Sequence, residues 1–227
     1  MSMTLLVLQP DSIRVLTDTL VMRGGAPDSF TSKVDVLDKA VLFTRGAVAV
    51  GDAIRSAVTA YDLDTIEPDF GRFVLAECVA FDKHATARVL HECERRRAQG
   101  IGELPSGLCE ALLVGWSERH GRFRAIFTDP TDVIGNVTAI PDGFSIFPSK
   151  RHLDNPYQTL PSNEQLVLIA DNLDLRARVE EKVILYGGEM MLTTIDRDGV
   201  RTECIGRFHT YADDAAAIAQ RARQEAA

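Results

Sequence analysis

The stretch that decides the fold is Thr4-Leu-Leu-Val-Leu-Gln-Pro-Asp-Ser-Ile-Arg-Val-Leu-Thr-Asp18, near the start of the 227-residue chain. Two runs rich in apolar residues flank the tripeptide Pro10-Asp11-Ser12. Proline presets the first angle of a turn, and aspartate can hydrogen-bond its own backbone. The pattern therefore predicts a strand, a tight turn and a second strand that ends at Asp18.

A second stretch, Ser32-Lys-Val-Asp-Val-Leu-Asp-Lys-Ala-Val-Leu-Phe-Thr-Arg-Gly46, has the same character. Two valines alternate with polar residues, and the polar corner Asp38-Lys39 precedes an apolar run over residues 40–43. This alternation predicts another hairpin, with Lys33 at its beginning.

Both stretches resemble the β-subunits of proteasomes and their bacterial relatives, which are N-terminal-nucleophile hydrolases. In that family the mature chain begins with the nucleophile, an Ala-Asp-(Ser/Thr)-Arg type of motif follows, and a lysine opens the next hairpin. Here Leu16-Thr17-Asp18-Thr19 resembles the acidic motif, and Lys33-Val34-Asp35-Val36-Leu37-Asp38 resembles the lysine motif. Aligning the first hairpin without a gap puts Ser2 at the nucleophile position.

The resemblance extends over about residues 2–208. Thr44-Arg45-Gly46 resembles the family's glycine turn, residues 111–127 its central hairpin, and residues 187–200 its late Gly-Gly strand. Hairpins at both ends with helices between them suit two sheets covered by helices. We therefore expect an α+β fold, a four-layer α/β/β/α sandwich with two stacked antiparallel sheets, formed by one domain over residues 1–227.

The resemblance also implies a site for amide hydrolysis. A free α-amine has a pKa near 7.7 to 8.0, so the amine of an N-terminal serine can act as the base for its own hydroxyl. By resemblance, Ser2 is nucleophile and base after removal of Met1, Lys33 and Asp18 tune it, and the Gly46 N–H binds the oxyanion. The family further implies peptide or protein substrates and a homo-oligomeric ring. No cofactor and no metal is expected.

Other interpretations remain open from the sequence. Thr4 would be the nucleophile if the chain were cleaved after Met3. Alternatively, Ser2 is a frayed terminal residue, Asp18 a turn residue and Lys33 an edge charge that blocks aggregation. The chain would then be a non-catalytic proteasome-like protein that assembles a ring or binds a partner. An unrelated α+β binding module is a third possibility.

Composition excludes several classes of function. The 33 acidic and 25 basic residues give a net charge of −8, and without a basic stripe we expect no nucleic-acid partner. The four cysteines form no Cys-x-x-Cys pair, which predicts reduced thiols in a cytoplasmic protein rather than a zinc or redox motif. No apolar run approaches about twenty residues, so we expect no membrane span. No histidine is expected to pair with a serine or cysteine nucleophile.

The remaining pattern predicts helices and strands in alternation. We expect helices over residues 52–62, 70–97 and 163–182 and a C-terminal helix over about 212–227. Strands are expected over residues 111–117, 123–128, 133–140 and 144–147, with a last hairpin over residues 190–208.

Overall fold

The computed structural model describes residues 3–37, 40–59, 61–100, 109–128, 135–147, 159–180 and 186–225. The chain divides into two compact units, Met1–Lys33 with Asp142–Ala227, and Val34–Pro141. Within the described residues, helices and antiparallel sheets occur together, as the sequence predicts.

The described residues of the first unit form a five-stranded antiparallel sheet, a small hairpin and two helices. The sheet has the order β10-β1-β2-β11-β12. Its strands are β1 (Thr4–Leu8), β2 (Ile13–Asp18), β10 (Gly143–Phe147), β11 (Glu189–Asp196) and β12 (Gly199–Arg207), the hairpin is β3 (Leu20–Arg23) with β4 (Ala26–Phe30), and the helices are α5 (Asn163–Glu180) and α6 (Tyr211–Glu225).

The predicted first hairpin is confirmed by the register of β1 and β2. Thr4 lies opposite Thr17 and Leu8 lies opposite Ile13, and the Gln9 N–H donates to the Ser12 carbonyl at 2.9 Å across the turn. β2 also pairs with β11, so the strand that ends at Asp18 is central in the sheet.

Helix α5 covers one face of this sheet through a stripe of buried residues. The stripe repeats at three- and four-residue intervals, which places it on a single side of the helix. It consists of Leu166, Ile169, Ala170, Leu173 and Ala177, and it packs in one cluster with Met3, Leu5, Val7, Leu16, Tyr186, Met190, Leu192 and Phe208.

The second unit repeats the combination of a sheet with helices. Its antiparallel sheet has the order β5-β6-β7-β8-β9. The strands are β5 (Val34–Val36), β6 (Ala40–Arg45), β7 (Glu110–Ser117), β8 (Arg122–Thr128) and β9 (Val137–Ala139), and the helices are α1 (Val48–Val58), α2 (Leu63–Ile66), α3 (Phe70–Phe81) and α4 (Lys83–Ala98). A buried cluster joins α1 and α3 to the sheet, and it includes Val50, Ile54, Phe70, Val74, Leu113 and Ile126.

Two helix predictions in this unit are wrong. The predicted helix over residues 70–97 is two helices, because Asp82 is extended (φ −150°, ψ 92°) and its carboxylate accepts the Ala85 N–H at 2.8 Å. The predicted helix over residues 52–62 corresponds to α1, which begins earlier, at Val48, so Asp52 lies inside it. The N-terminus of α1 has no side-chain cap. Asp62 instead caps α2, where it accepts the Thr65 N–H.

The β3–β4 hairpin was not predicted. It reverses at Gly24 and Gly25, whose φ angles of 62° and 82° favour glycine. The predicted C-terminal helix near residue 212 corresponds to α6. No helix in the described part of the chain is both long and apolar enough to cross a bilayer.

Candidate active site

The carboxylate of Asp18 joins the two ends of the first 33 residues. It is fully buried at the end of β2. One oxygen, Oδ2, accepts the Lys33 ammonium at 2.7 Å, and the other, Oδ1, accepts the main-chain N–H of Met3 at 2.9 Å. The site thus consists of a buried ion pair whose carboxylate also holds the beginning of the chain.

Lys33 lies in the short segment between β4 and β5, and its side chain is 10% exposed. Its ammonium donates a second hydrogen bond, to the Leu20 carbonyl at 2.7 Å. An ammonium has three donors, and the described residues accept two of them. Burial lowers the pKa of Lys33 below its ordinary value, although the charge and hydrogen bond of Asp18 act in the opposite direction.

The Leu20 carbonyl is itself held by a segment far along the chain. The N–H groups of Thr19 and Leu20 both donate to the Gly187 carbonyl, at 3.3 and 3.2 Å. The Thr19 hydroxyl accepts the Glu189 N–H at 2.8 Å, and the Thr31 N–H donates to the Thr19 carbonyl at 2.8 Å. These bonds fix the peptide that follows Asp18 on both sides.

Of the predicted site residues, the structure brings Asp18 and Lys33 together. Ser2 lies outside the described residues. Gly46 belongs to the second unit, in the turn between β6 and α1, with a φ of 138° that favours glycine. Thr4, the alternative nucleophile, is the first residue of β1 and lies opposite both Thr17 and Phe147 in the ladder.

One cluster in the second unit has the residue types of a serine hydrolase triad, although no such pair was expected. Ser117 donates to Asp64 Oδ1 at 2.6 Å and lies 2.9 Å from His120 Nδ1. The serine is between the acid and the imidazole, whereas a triad places the imidazole in the middle. Ser117 is also fully buried. The arrangement therefore ties the β7–β8 turn to α2 and does not expose a nucleophile.

Sequence reasoning missed the residues that support the ion pair. The resemblance assigns Gly187 and Gly188 only to the start of a late strand, and nothing in the sequence links them to Thr19 or Leu20. Within the described residues, no group of three or more histidine, cysteine, aspartate or glutamate side chains could hold a metal ion.

The fold is proteasome-like. No protein-family model matches the chain, and no curated protein matches it in sequence. Its structure is similar to that of a Gly-1 mutant of Anbu from Hyphomicrobium sp. strain MC1, a bacterial proteasome-like protein. The TM-score is 0.56 at 17% sequence identity, and the match covers 99% of this chain and 96% of that chain. At this identity the likeness establishes the fold alone.

Proposed function

We propose that the chain is a proteasome-type N-terminal-nucleophile hydrolase that cleaves peptide or other amide bonds after removal of Met1 exposes Ser2. The observation that carries the proposal is the Asp18 carboxylate, which binds both the Lys33 ammonium and the Met3 N–H. A C–N bond of about 1.33 Å joins that nitrogen to residue 2. A chain that began at Ser2 would thus have its amine and hydroxyl one peptide unit from the buried ion pair.

In the proposed reaction, the Ser2 amine takes the proton of the Ser2 hydroxyl as the oxygen attacks the substrate carbonyl. The tetrahedral intermediate then breaks its C–N bond, the proton passes to the leaving amine, and an ester joins the acyl group to Ser2. A water molecule attacks this ester, with the same amine as base, and releases the acid and free Ser2. The Gly46 N–H would stabilise the oxyanion in both steps.

Lys33 and Asp18 would keep the amine ready for this task. A charged ammonium near the Ser2 amine disfavours a second positive charge, so it lowers the pKa of that amine. The charge and hydrogen bond of Asp18 favour the ammonium form of Lys33 against the effect of burial, and the Leu20 carbonyl fixes the direction of the ammonium. The third ammonium donor would then be available to the Ser2 oxygen.

The same geometry favours Ser2 over Thr4 as nucleophile. Cleavage after Met3 would remove the N–H that binds Asp18. It would also place the new amine on a residue that is 9% exposed and paired on both sides in the sheet.

We also propose the finer features that the resemblance implies. They are a single domain over residues 1–227 with a four-layer α/β/β/α architecture, a homo-oligomeric ring, and a cytoplasmic location. Native mass spectrometry of the purified protein tests the ring, because a monomer would contradict it.

Acylation of the N-terminus tests the activity. The intact mass of protein made in its own host is first measured by mass spectrometry, and we expect the mass of the chain without Met1. Treatment with a β-lactone should then add one acyl group to Ser2, located by peptide mass spectrometry, and Ser2→Ala and Lys33→Met should abolish the adduct. Ser117→Ala is the matched control, because it removes a buried serine from the other cluster and should leave acylation unchanged.

Retention of Met1, or an adduct that persists in Ser2→Ala, would overturn the proposal. The first outcome leaves no free amine on Ser2 and supports the alternative, a non-catalytic proteasome-like protein that assembles a ring or binds a partner.

A further inference from the structure

Arg178 is the centre of a buried charge cluster in the first unit. Its Nε donates to Asp174 at 2.8 Å, and its two terminal nitrogens donate to Asp214 at 3.1 and 2.8 Å. Both carboxylates are almost completely buried. Burial raises the pKa of Asp174, and hydrogen bonds from Arg178 and Thr210 oppose that shift. Arg178 thereby connects α5 to α6 through groups that have little access to water.

The same guanidinium reaches the segment that leads into β11. Its Nη2 also donates to the Tyr186 carbonyl at 2.9 Å. The next residue, Gly187, lies directly against the cluster, because a Cβ there would be 2.5 Å from Asp214 Oδ2 and 3.1 Å from Arg178 Nη2. The Arg178–Asp214 pair therefore fixes the position of the peptide between Tyr186 and Gly187.

From Gly187 the contacts continue to the ion pair. The Gly187 carbonyl accepts the N–H groups of Thr19 and Leu20, and the Leu20 carbonyl accepts the Lys33 ammonium. The first step consists of main-chain hydrogen bonds, and the second joins the Lys33 side chain to a main-chain carbonyl. A shift of the Tyr186–Gly187 peptide therefore displaces the Leu20 carbonyl and its bond to the ammonium. Lysine has four rotatable side-chain bonds, and its ammonium takes the direction that its acceptors impose.

We propose that Arg178 is a positioning residue for the Lys33–Asp18 pair, acting through Tyr186, Gly187 and the Leu20 carbonyl. Its relevance to catalysis rests on the proposed hydrolase function, whereas the coupling itself does not. Arginine suits the position because its planar fork of five donors binds two carboxylates and a carbonyl at once, which an ammonium cannot do in the same geometry.

The test is the titration of Lys33, which needs no activity. The chain contains five lysines, so ¹³Cε-lysine labelling gives few NMR signals, and Lys33→Met assigns the one from Lys33. In Arg178→Lys the Leu20 carbonyl is displaced, so its hydrogen bond with the Lys33 ammonium weakens. We therefore expect the titration midpoint of Lys33 to fall by about one pH unit. Arg178→Ala should lower the midpoint further, and millimolar guanidinium chloride, but not sodium chloride, should restore it.

Arg14→Ala is the matched control. Arg14 is another half-buried arginine of this unit, and it ties β2 to the beginning of α5 through Asn163 Oδ1 and the Pro161 carbonyl, at 2.7 and 2.8 Å. Its loss should lower stability and leave the Lys33 midpoint unchanged.

An unchanged or raised Lys33 midpoint in folded Arg178→Lys would overturn the inference, as would an equal fall in Arg14→Ala. If Arg178→Ala does not fold, Arg178→Lys decides the question alone. A shifted midpoint in a protein that never acylates Ser2 would keep the coupling and remove the proposed activity. Acylation of Ser2 in a protein whose Lys33 midpoint does not respond to Arg178→Lys would keep the proposed activity and remove the coupling.

Discussion

Gly188 lies so close to Thr19 that no side chain fits between them. A Cβ on Gly188 would be 2.4 Å from the Thr19 hydroxyl oxygen and 2.8 Å from the ring of Phe30. The φ of Gly188 is 80°, a conformation that residues with a Cβ adopt only at a cost. The close approach places the residue before β11 against Thr19, whose neighbour Leu20 carries the second acceptor of Lys33.

Gly188→Ala should therefore be strongly destabilising. Backbone strain and the clash together should lower the free energy of unfolding by about 3 kcal/mol or more, measured by urea denaturation. Gly24→Ala is the control for strain alone, since Gly24 has a φ of 62° and nothing within 4 Å of a Cβ. It should cost about 1 to 2 kcal/mol. Equal costs at the two glycines would contradict the close approach.

Removing one member of the Asp18–Lys33 pair should be worse than removing both. Asp18→Asn leaves a buried ammonium without its counter-charge, and Lys33→Met leaves a buried carboxylate, so each should cost about 3 to 5 kcal/mol. The double variant should be more stable than the sum of the single effects predicts, by at least about 2 kcal/mol in a double-mutant cycle. Additive effects would show that the two charges do not compensate each other.

The proposed activity should decline at high pH because Lys33 must stay charged. Burial lowers the pKa of Lys33 from 10.5, so its ammonium loses the proton at a lower pH than an exposed lysine does. The pH profile of kcat/KM should rise as the Ser2 amine loses its proton, near 7.7 to 8.0 or below, and fall again before pH 10.5. The descending limb should coincide with the NMR titration of Lys33, and a plateau beyond pH 10.5 would disagree.

Thiol reactivity should distinguish one cysteine from the other three. Cys204 is exposed on β12, whereas Cys78, Cys93 and Cys109 are buried. Burial raises the pKa of Cys109 to about 12, which further limits its reaction as a thiolate. Ellman's reagent should titrate one thiol in the native protein and four in denaturant, and Cys204→Ser should abolish the rapid reaction. Rapid reaction of two or more native thiols would contradict the packing.

The resemblance of the first 46 residues to proteasome β-subunits implied that Asp18 and Lys33 come together, and in the structure they form an ion pair. Strand alternation and turn residues are local signals, and they predicted the β1–β2 hairpin correctly. The β3–β4 hairpin had a local signal too, the pair Gly24-Gly25, but its strands are short and only partly apolar.

Other features depend on contacts that the sequence does not encode locally. Arg178 lies 36 residues from Asp214, and Ser117 lies 53 residues from Asp64, so only the folded chain reveals these clusters. The break at Asp82 was different. The apolar spacing continues across Asp82, so the pattern predicts one continuous helix. The residue type alone does not distinguish an aspartate that caps a new helix from one that lies within a helix.

The pairing of β2 with β11 has a consequence for how the protein is made. The Thr19 hydroxyl and the Glu189 N–H that bind each other are 170 residues apart. A ribosome therefore finishes the first hairpin long before it produces the partner that completes the sheet around Asp18. Until then the nascent chain has Lys33 without the support of Gly187, and translation itself delays assembly of the ion pair's surroundings.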